Sequence, residues 1–188
     1  PTPWTRPLTV AVIERVSPIW LSKARSIVES RWIGTAFDRF SMWHTAQMDY
    51  PTYRLDGQVA LVTGASKGIG ADLARAIAEA GAAVAVAARD RNALETVASD
   101  IADSGGSVLV VEMDVSDVAS IRHAVGVVHS HFGRLDIMVN NAGLGANHPA
   151  EDVSEADWDG MMEVNLRGLF FCCQAAGRIM LEQGSGRI

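Results

Sequence analysis

The sequence predicts an α/β protein built on a doubly wound parallel sheet, incomplete, with an irregular N-terminal extension. Three observations predict it. From residue 58 onward, short β-branched apolar runs alternate with amphipathic stretches of helical spacing. The connections between them are short, as they are when strands and crossover helices alternate in one sheet. The first apolar run passes directly into a glycine-rich loop, TGASKGIG at 63–70.

Each element has its own justification. QVALVT (58–63) is a short apolar run of the kind a buried parallel strand shows. After the glycine-rich loop, IGADLARAIAEA (69–80) places Ile69, Leu73, Ala76, Ile77 and Ala80 at helical spacing, and Gly81 stops it. AVAVAA (83–88) reads as a second strand, and RNALETVASDIADS (91–104) as an amphipathic helix closed by Gly105 and Gly106. SVLVVEM (107–113) reads as a third strand, DVASIRHAVGVVHSHF (117–132) as a third helix stopped at Gly133, and LDIMVN (135–140) as a fourth strand. NAGLGANHPAED is then a loop. Ser154 with Asp157 makes a capping box that opens a helix. A longer helix is expected from about Asn165 to Gln183, and the closing GRI reads as the start of a fifth strand.

Residues 1–54 stand outside this pattern, which divides the chain into a weakly structured extension (1–54) and a sheet domain (55–188). The extension holds Trp4, Trp20, Trp32 and Trp43 and shows only one weak helical stretch, at 19–33. It carries a net charge of +3 within a chain of net −6, so the remainder is acidic. An acidic body argues against nucleic acid as the main partner, because phosphate backbones need a basic footprint. The two cysteines, Cys172 and Cys173, are adjacent and read as reduced core thiols, which fits a reducing, cytoplasmic setting. No apolar stretch approaches the roughly 20 residues of a membrane span, so no membrane partner is expected. The chain starts at Pro1 and ends at GSGRI, and we expect it to be a fragment of a longer reading frame.

The chemistry is concentrated at the carboxyl ends of the expected strands, where sheets of this kind bind ligands. In the first loop, Gly64 allows a tight turn, Gly68 lets backbone approach a diphosphate, and Gly70 permits close helix–strand packing. The helix start then offers free N–H groups and the positive end of its dipole. A glycine triplet alone can be a bare turn; between a strand and a helix it points to a nucleotide. A P-loop is excluded because Lys67 is followed by glycine rather than Ser or Thr. A methyltransferase loop stays open as an alternative, although it usually wants an acidic residue at the end of the second strand. That strand ends instead in Ala88 and Arg89. Arg89 can pair with a 2′-phosphate, and Lys67 adds positive charge, so NADP is expected before NAD. Asp114, after the third strand, is either an adenine acceptor or a helix-start residue. Asn141, Ala142 and Gly143, after the fourth, read as a turn or as an open backbone facing a cofactor. The histidines supply no metal spacing: His123, His129 and His131 share a helix without an i, i+4 pair, and His148 is a weak candidate for substrate contact.

Taken in order, TGASKGIG, Asp114-Val115, NNAG (140–143) and VNLRG (164–168) resemble the short-chain dehydrogenase/reductase family, Rossmann-type enzymes. The likeness covers residues from about 55 to 188 and has the flavour of 3-oxoacyl-carrier-protein reductases and sugar or polyol dehydrogenases. It implies that Gly64, Ser66, Lys67, Gly68, Ile69 and Gly70 line the cofactor diphosphate and ribose. It also implies that Arg89 reads the 2′-phosphate, Asp114 and Val115 the adenine, and Asn141, Ala142 and Gly143 the adjacent ribose region. Asn165 matches the family's catalytic asparagine, which holds a water in a proton relay; the plainer reading is a core asparagine that bends a helix. The implied activity is interconversion of a small alcohol and carbonyl with NADP(H), and the implied full-length form is a homo-oligomer. A non-catalytic dinucleotide-binding module is the alternative.

The family's serine and its Tyr-x-x-x-Lys pair do not occur in this sequence. Its only tyrosines are Tyr50 and Tyr53, before the first strand. Tyr50 and Arg54 have the right spacing, but arginine is no substitute for a pKa-tuned lysine. The resemblance therefore implies that the isolated chain is inactive.

Overall fold

The computed structural model describes residues 53–145 and 148–188. The extension lies almost wholly outside the described residues, so its expected weak structure and Tyr50 are not seen.

Four parallel strands form the sheet: β1 (Val59–Thr63), β2 (Ala83–Ala88), β3 (Val108–Glu112) and β4 (Ile137–Val139), in the order β3-β2-β1-β4. Leu61 sits beside Ala85 on one side and Met138 on the other, which fixes the register of the central strands. The helices are α1 (Gly68–Glu79), α2 (Arg91–Asp103), α3 (Val118–Phe132), α4 (Glu155–Met162) and α5 (Leu169–Gln183). Every strand-to-strand crossover up to β4 carries one helix, as the alternating pattern predicts.

Side chains alternate across the sheet and separate two cores. On one face Leu61, Ala85, Ala87 and Met138 pack with Ile121 and Val125 of α3 and Cys172 and Ala176 of α5. On the other, Val62, Val84 and Val86 pack with Ala71 and Ala74 of α1 and Leu94, Val97 and Ile101 of α2. The sheet is thus covered on both faces, which is why its strands read as unbroken apolar runs.

The helix ends at Ser154 and Gly133 follow the sequence signals; the caps at Asp90 and Asp117 are seen in the structure. Asp90 and Asp117 cap α2 and α3 through their carboxylates, and both halves of the Ser154–Asp157 capping box are made. Gly133 ends α3 with φ of 76°.

One element differs from the sequence reading. The long helix does not begin at Asn165. Helix runs without interruption from α4 through a π-helical turn, Glu163–Gly168, into α5. Asn165 sits inside that turn, whose i→i+5 winding helical periodicity alone does not reveal. The closing GRI lies beside β4 as the start of a fifth strand would: Arg187 bridges Ile137 in parallel, with Arg187 N–H donating to Asp136 O at 2.9 Å and Met138 N–H to Arg187 O at 2.9 Å.

Candidate cofactor site

β1 delivers the glycine loop, and its last residue anchors it. Thr63 is 1 % exposed. Its hydroxyl donates to Val139 O at 3.2 Å and accepts from the N–H groups of Asn141 and Ala142, each at 3.1 Å. The Asn141 side chain returns the contact, Nδ2 donating to Thr63 O at 2.9 Å and Gly64 O at 3.2 Å. The loops after β1 and β4 are therefore one unit. Sequence reasoning missed Thr63; its signal is a hydroxyl in the last buried position of a strand that runs into glycine.

The glycines divide the work sterically. Gly64 has φ of 66°, and a Cβ there would stand 2.9 Å from Ala142 Cα. A Cβ on Gly70 would overlap Gly64 O and the Asn141 amide. Gly68 has φ of 56° and nothing within 4 Å of where its Cβ would point. So Gly64 and Gly70 are small because protein fills the space, and Gly68 faces open space above the start of α1. The N-cap of α1, Lys67, makes no side-chain cap hydrogen bond, which leaves the first amides of α1 available. Ser66 is half-buried, and Lys67 and Ile69 are exposed beside this opening.

Arg89 follows β2 directly and is exposed. With Arg91, Asp114, Ser120 and His123 it lines an open cleft of about 550 Å³. Asp114 Oδ1 accepts from Ser116 N–H at 2.9 Å and Ser116 Oγ–H at 2.7 Å. These bonds, and more weakly the Arg89 charge, hold its carboxyl below the usual carboxylate range against partial burial. It is therefore an anion at neutral pH, with Oδ2 making no protein hydrogen bond among the described residues.

Beyond β4, Asn165 closes on the loop from the π-helical turn. Its Oδ1 accepts from Leu144 N–H at 2.8 Å and its Nδ2 donates to Leu144 O at 2.7 Å. A Cβ on Gly143 would lie 3.3 Å from that Oδ1. Asn140, next to Asn141, points the other way and donates from Nδ2 to Cys173 Sγ at 3.3 Å; its buried Oδ1 has no partner among the described residues. His148 is exposed. Tyr53 is 84 % exposed and lies at the opposite end of the sheet, where Leu55 N–H donates to Ala80 O at the end of α1.

The sequence model of one family, described as short chain dehydrogenase, matches residues 58–188. The chain belongs to the short-chain dehydrogenase family. Among curated relatives it is 45 % identical over 136 residues to D-threitol dehydrogenase of Mycolicibacterium smegmatis, covering 72 % of this chain and 52 % of that protein. It is 37 % identical over 142 residues to gluconate 5-dehydrogenase of Gluconobacter oxydans, covering 75 % and 56 %. A crystal structure of a gluconate 5-dehydrogenase from Burkholderia cenocepacia in complex with NADP and tartrate superposes with a TM-score of 0.68 at 39 % identity, covering 72 % of this chain and 53 % of that one. The chain spans about half the length of the curated relatives it matches. Within this short-chain dehydrogenase chain, all the strand-end segments singled out from sequence converge on the carboxyl edge of the sheet.

Proposed function

We propose that the chain forms the NADP(H)-holding part of an oxidoreductase that interconverts a small alcohol and a carbonyl. The observation that carries the reading is the continuous edge from Gly64 to Arg89 to Asp114: a glycine cradle with open space over a helix start, then a cation that follows Ala88 rather than an acid at the end of β2, then an ionised acceptor. This edge fits an adenosine diphosphate bearing a 2′-phosphate. Gly68 and the first amides of α1 would take the diphosphate, Ser66 and Ile69 the flanking sugar, Lys67 and Arg89 the 2′-phosphate, and Asp114 Oδ2 and Val115 the adenine edge. Asn141 and Ala142 would shape the wall near the second ribose, with Gly143 leaving room for Asn165. When bound, NADPH supplies the hydride; the relatives named D-threitol and gluconate 5-dehydrogenase support the oxidoreductase reading, and the NADP-bound neighbour supports the cofactor.

Within this chain Asn165 is the one residue we assign near the chemistry, as a holder of backbone and water rather than a proton donor. No tyrosine stands at the cofactor edge among the described residues, so the 188-residue chain by itself is proposed to bind cofactor without turnover. A non-catalytic binding module remains the second reading, favoured by the distance of Tyr53 from the site.

The deciding experiment is titration of the purified chain with NADPH and NADH, for the native protein and for Arg89→Asp. Losing a charge-assisted pair to the 2′-phosphate should weaken NADPH by about tenfold or more and shift preference toward NADH. Equal NADPH affinity in the two proteins would show that Arg89 does not read that phosphate. Oxidation of NADPH by the isolated chain with a small ketone, above a blank, would refute the proposed lack of turnover.

A further inference from the structure

The π-helical turn Glu163–Gly168 touches two loops of the cofactor edge at once. Through Asn165 it holds Leu144, as described. Through its last two residues it holds the loop after β3. Arg167 Nη1 donates to Ser116 O at 3.3 Å and is braced by Glu163 Oε1 at 3.0 Å, with its guanidinium 5.5 Å from the Phe171 ring centre. Gly168 is buried, and a Cβ there would overlap Val115 O. From the other side the hydroxyl of Ser120 accepts from Asp114 N–H at 3.0 Å.

We propose that Arg167 and Gly168 are positioning residues for the adenine end of the site, setting where the Asp114–Ser116 loop sits and hence how sharply the protein selects adenine. The inference rests on the dinucleotide reading above. Asp114 Oδ1 is committed to Ser116, so the direction of its free oxygen follows Ser116, and the carbonyl of Ser116 is bound by Arg167. Val115 approaches the turn at a place only glycine allows. A carboxylate oxygen accepts from the exocyclic amino group of adenine and repels the exocyclic carbonyl of hypoxanthine. Selection between the two therefore depends on where that oxygen is held, and tolerance for misplacement is small.

The test is equilibrium binding of NADPH and of its deaminated form, reduced nicotinamide hypoxanthine dinucleotide phosphate, to the whole chain. The native protein should prefer the adenine form. Arg167→Ala should reduce that preference about fivefold, the loss of one hydrogen bond to the loop. Gly168→Ala should reduce it further, and Arg167→Lys should restore part of it. Because Arg167 is exposed, Arg167→Ala should keep the native melting temperature. If Gly168→Ala does not fold, Arg167→Ala decides alone. A folded Arg167→Ala with the native preference overturns the inference, as does a native chain that binds both forms equally. A native chain that binds neither form overturns the dinucleotide reading itself.

Discussion

Asn165 and Leu144 close a ring of two hydrogen bonds, the Leu144 N–H at 2.8 Å from Oδ1 and the Asn165 Nδ2 at 2.7 Å from the Leu144 carbonyl. An asparagine is the one short side chain that offers both a donor and an acceptor on a planar amide. Asn165→Asp keeps the acceptor but sets a carboxylate oxygen against the Leu144 carbonyl. The loop should then open more often, by about 1 kcal/mol, or roughly fivefold faster amide exchange at Leu144. Hydrogen exchange followed by NMR reads this directly. Unchanged exchange would mean that other contacts hold the loop.

Thr63 supplies an acceptor to two backbone amides from a buried position. Thr63→Val is nearly isosteric and leaves both amides unpaired, so it should cost about 1–3 kcal/mol in urea unfolding. Thr63→Ser keeps the hydroxyl and should cost less. Equal costs for the two would point to lost packing rather than lost hydrogen bonds.

Asp136 predicts the acid limb of stability. Its carboxylate accepts from Arg134 through both oxygens, at 2.7 Å each, and from Val59 N–H at 2.9 Å. The Arg134 guanidinium beside it, with Val59 N–H helping, holds the carboxyl below the usual range despite burial. The folded pKa is lower than the unfolded one. The stabilisation is therefore complete above the ordinary carboxylate pKa of about 4 and is lost as pH falls through the folded value. Asp136→Asn should cost about 1–3 kcal/mol at neutral pH and flatten this acid limb. Denaturant midpoints measured from pH 7 down to the acid transition check both, and an acid limb as steep as the native one would show that Asp136 is not its source.

Cys172 is 1 % exposed, and burial pushes its thiol up to about 12. Only the thiolate reacts, so iodoacetamide at mildly alkaline pH should leave Cys172 unmodified in the folded chain and modify it in urea. Peptide mass spectrometry separates it from its neighbour Cys173. Rapid labelling of Cys172 without denaturant would show that α5 opens readily.

Much of this was legible in the sequence because it is local. Alternating apolar runs named the strands, 3.6-residue spacing named α1 to α3, and Ser154 and Gly133 carried their own capping chemistry. The strand-end segments were legible too, since a glycine loop between a strand and a helix restricts what the backbone can offer. The start of the long helix was misplaced because α4 runs into α5 through the π-helical turn at Glu163–Gly168, whose period 3.6-residue spacing does not reveal.

Residue order along the chain thus determined the fold class and the family, and it pointed to the carboxyl edge of the sheet as the proposed ligand edge. Tertiary structure alone decided which groups hold that edge in shape. Thr63 meets Asn141 across 78 residues, and Asn165 meets Leu144 across 21. The physical reason is range. Periodicity and capping act within a few turns of chain, whereas these hydrogen bonds exist only after the sheet and helices have packed and brought distant backbone into reach.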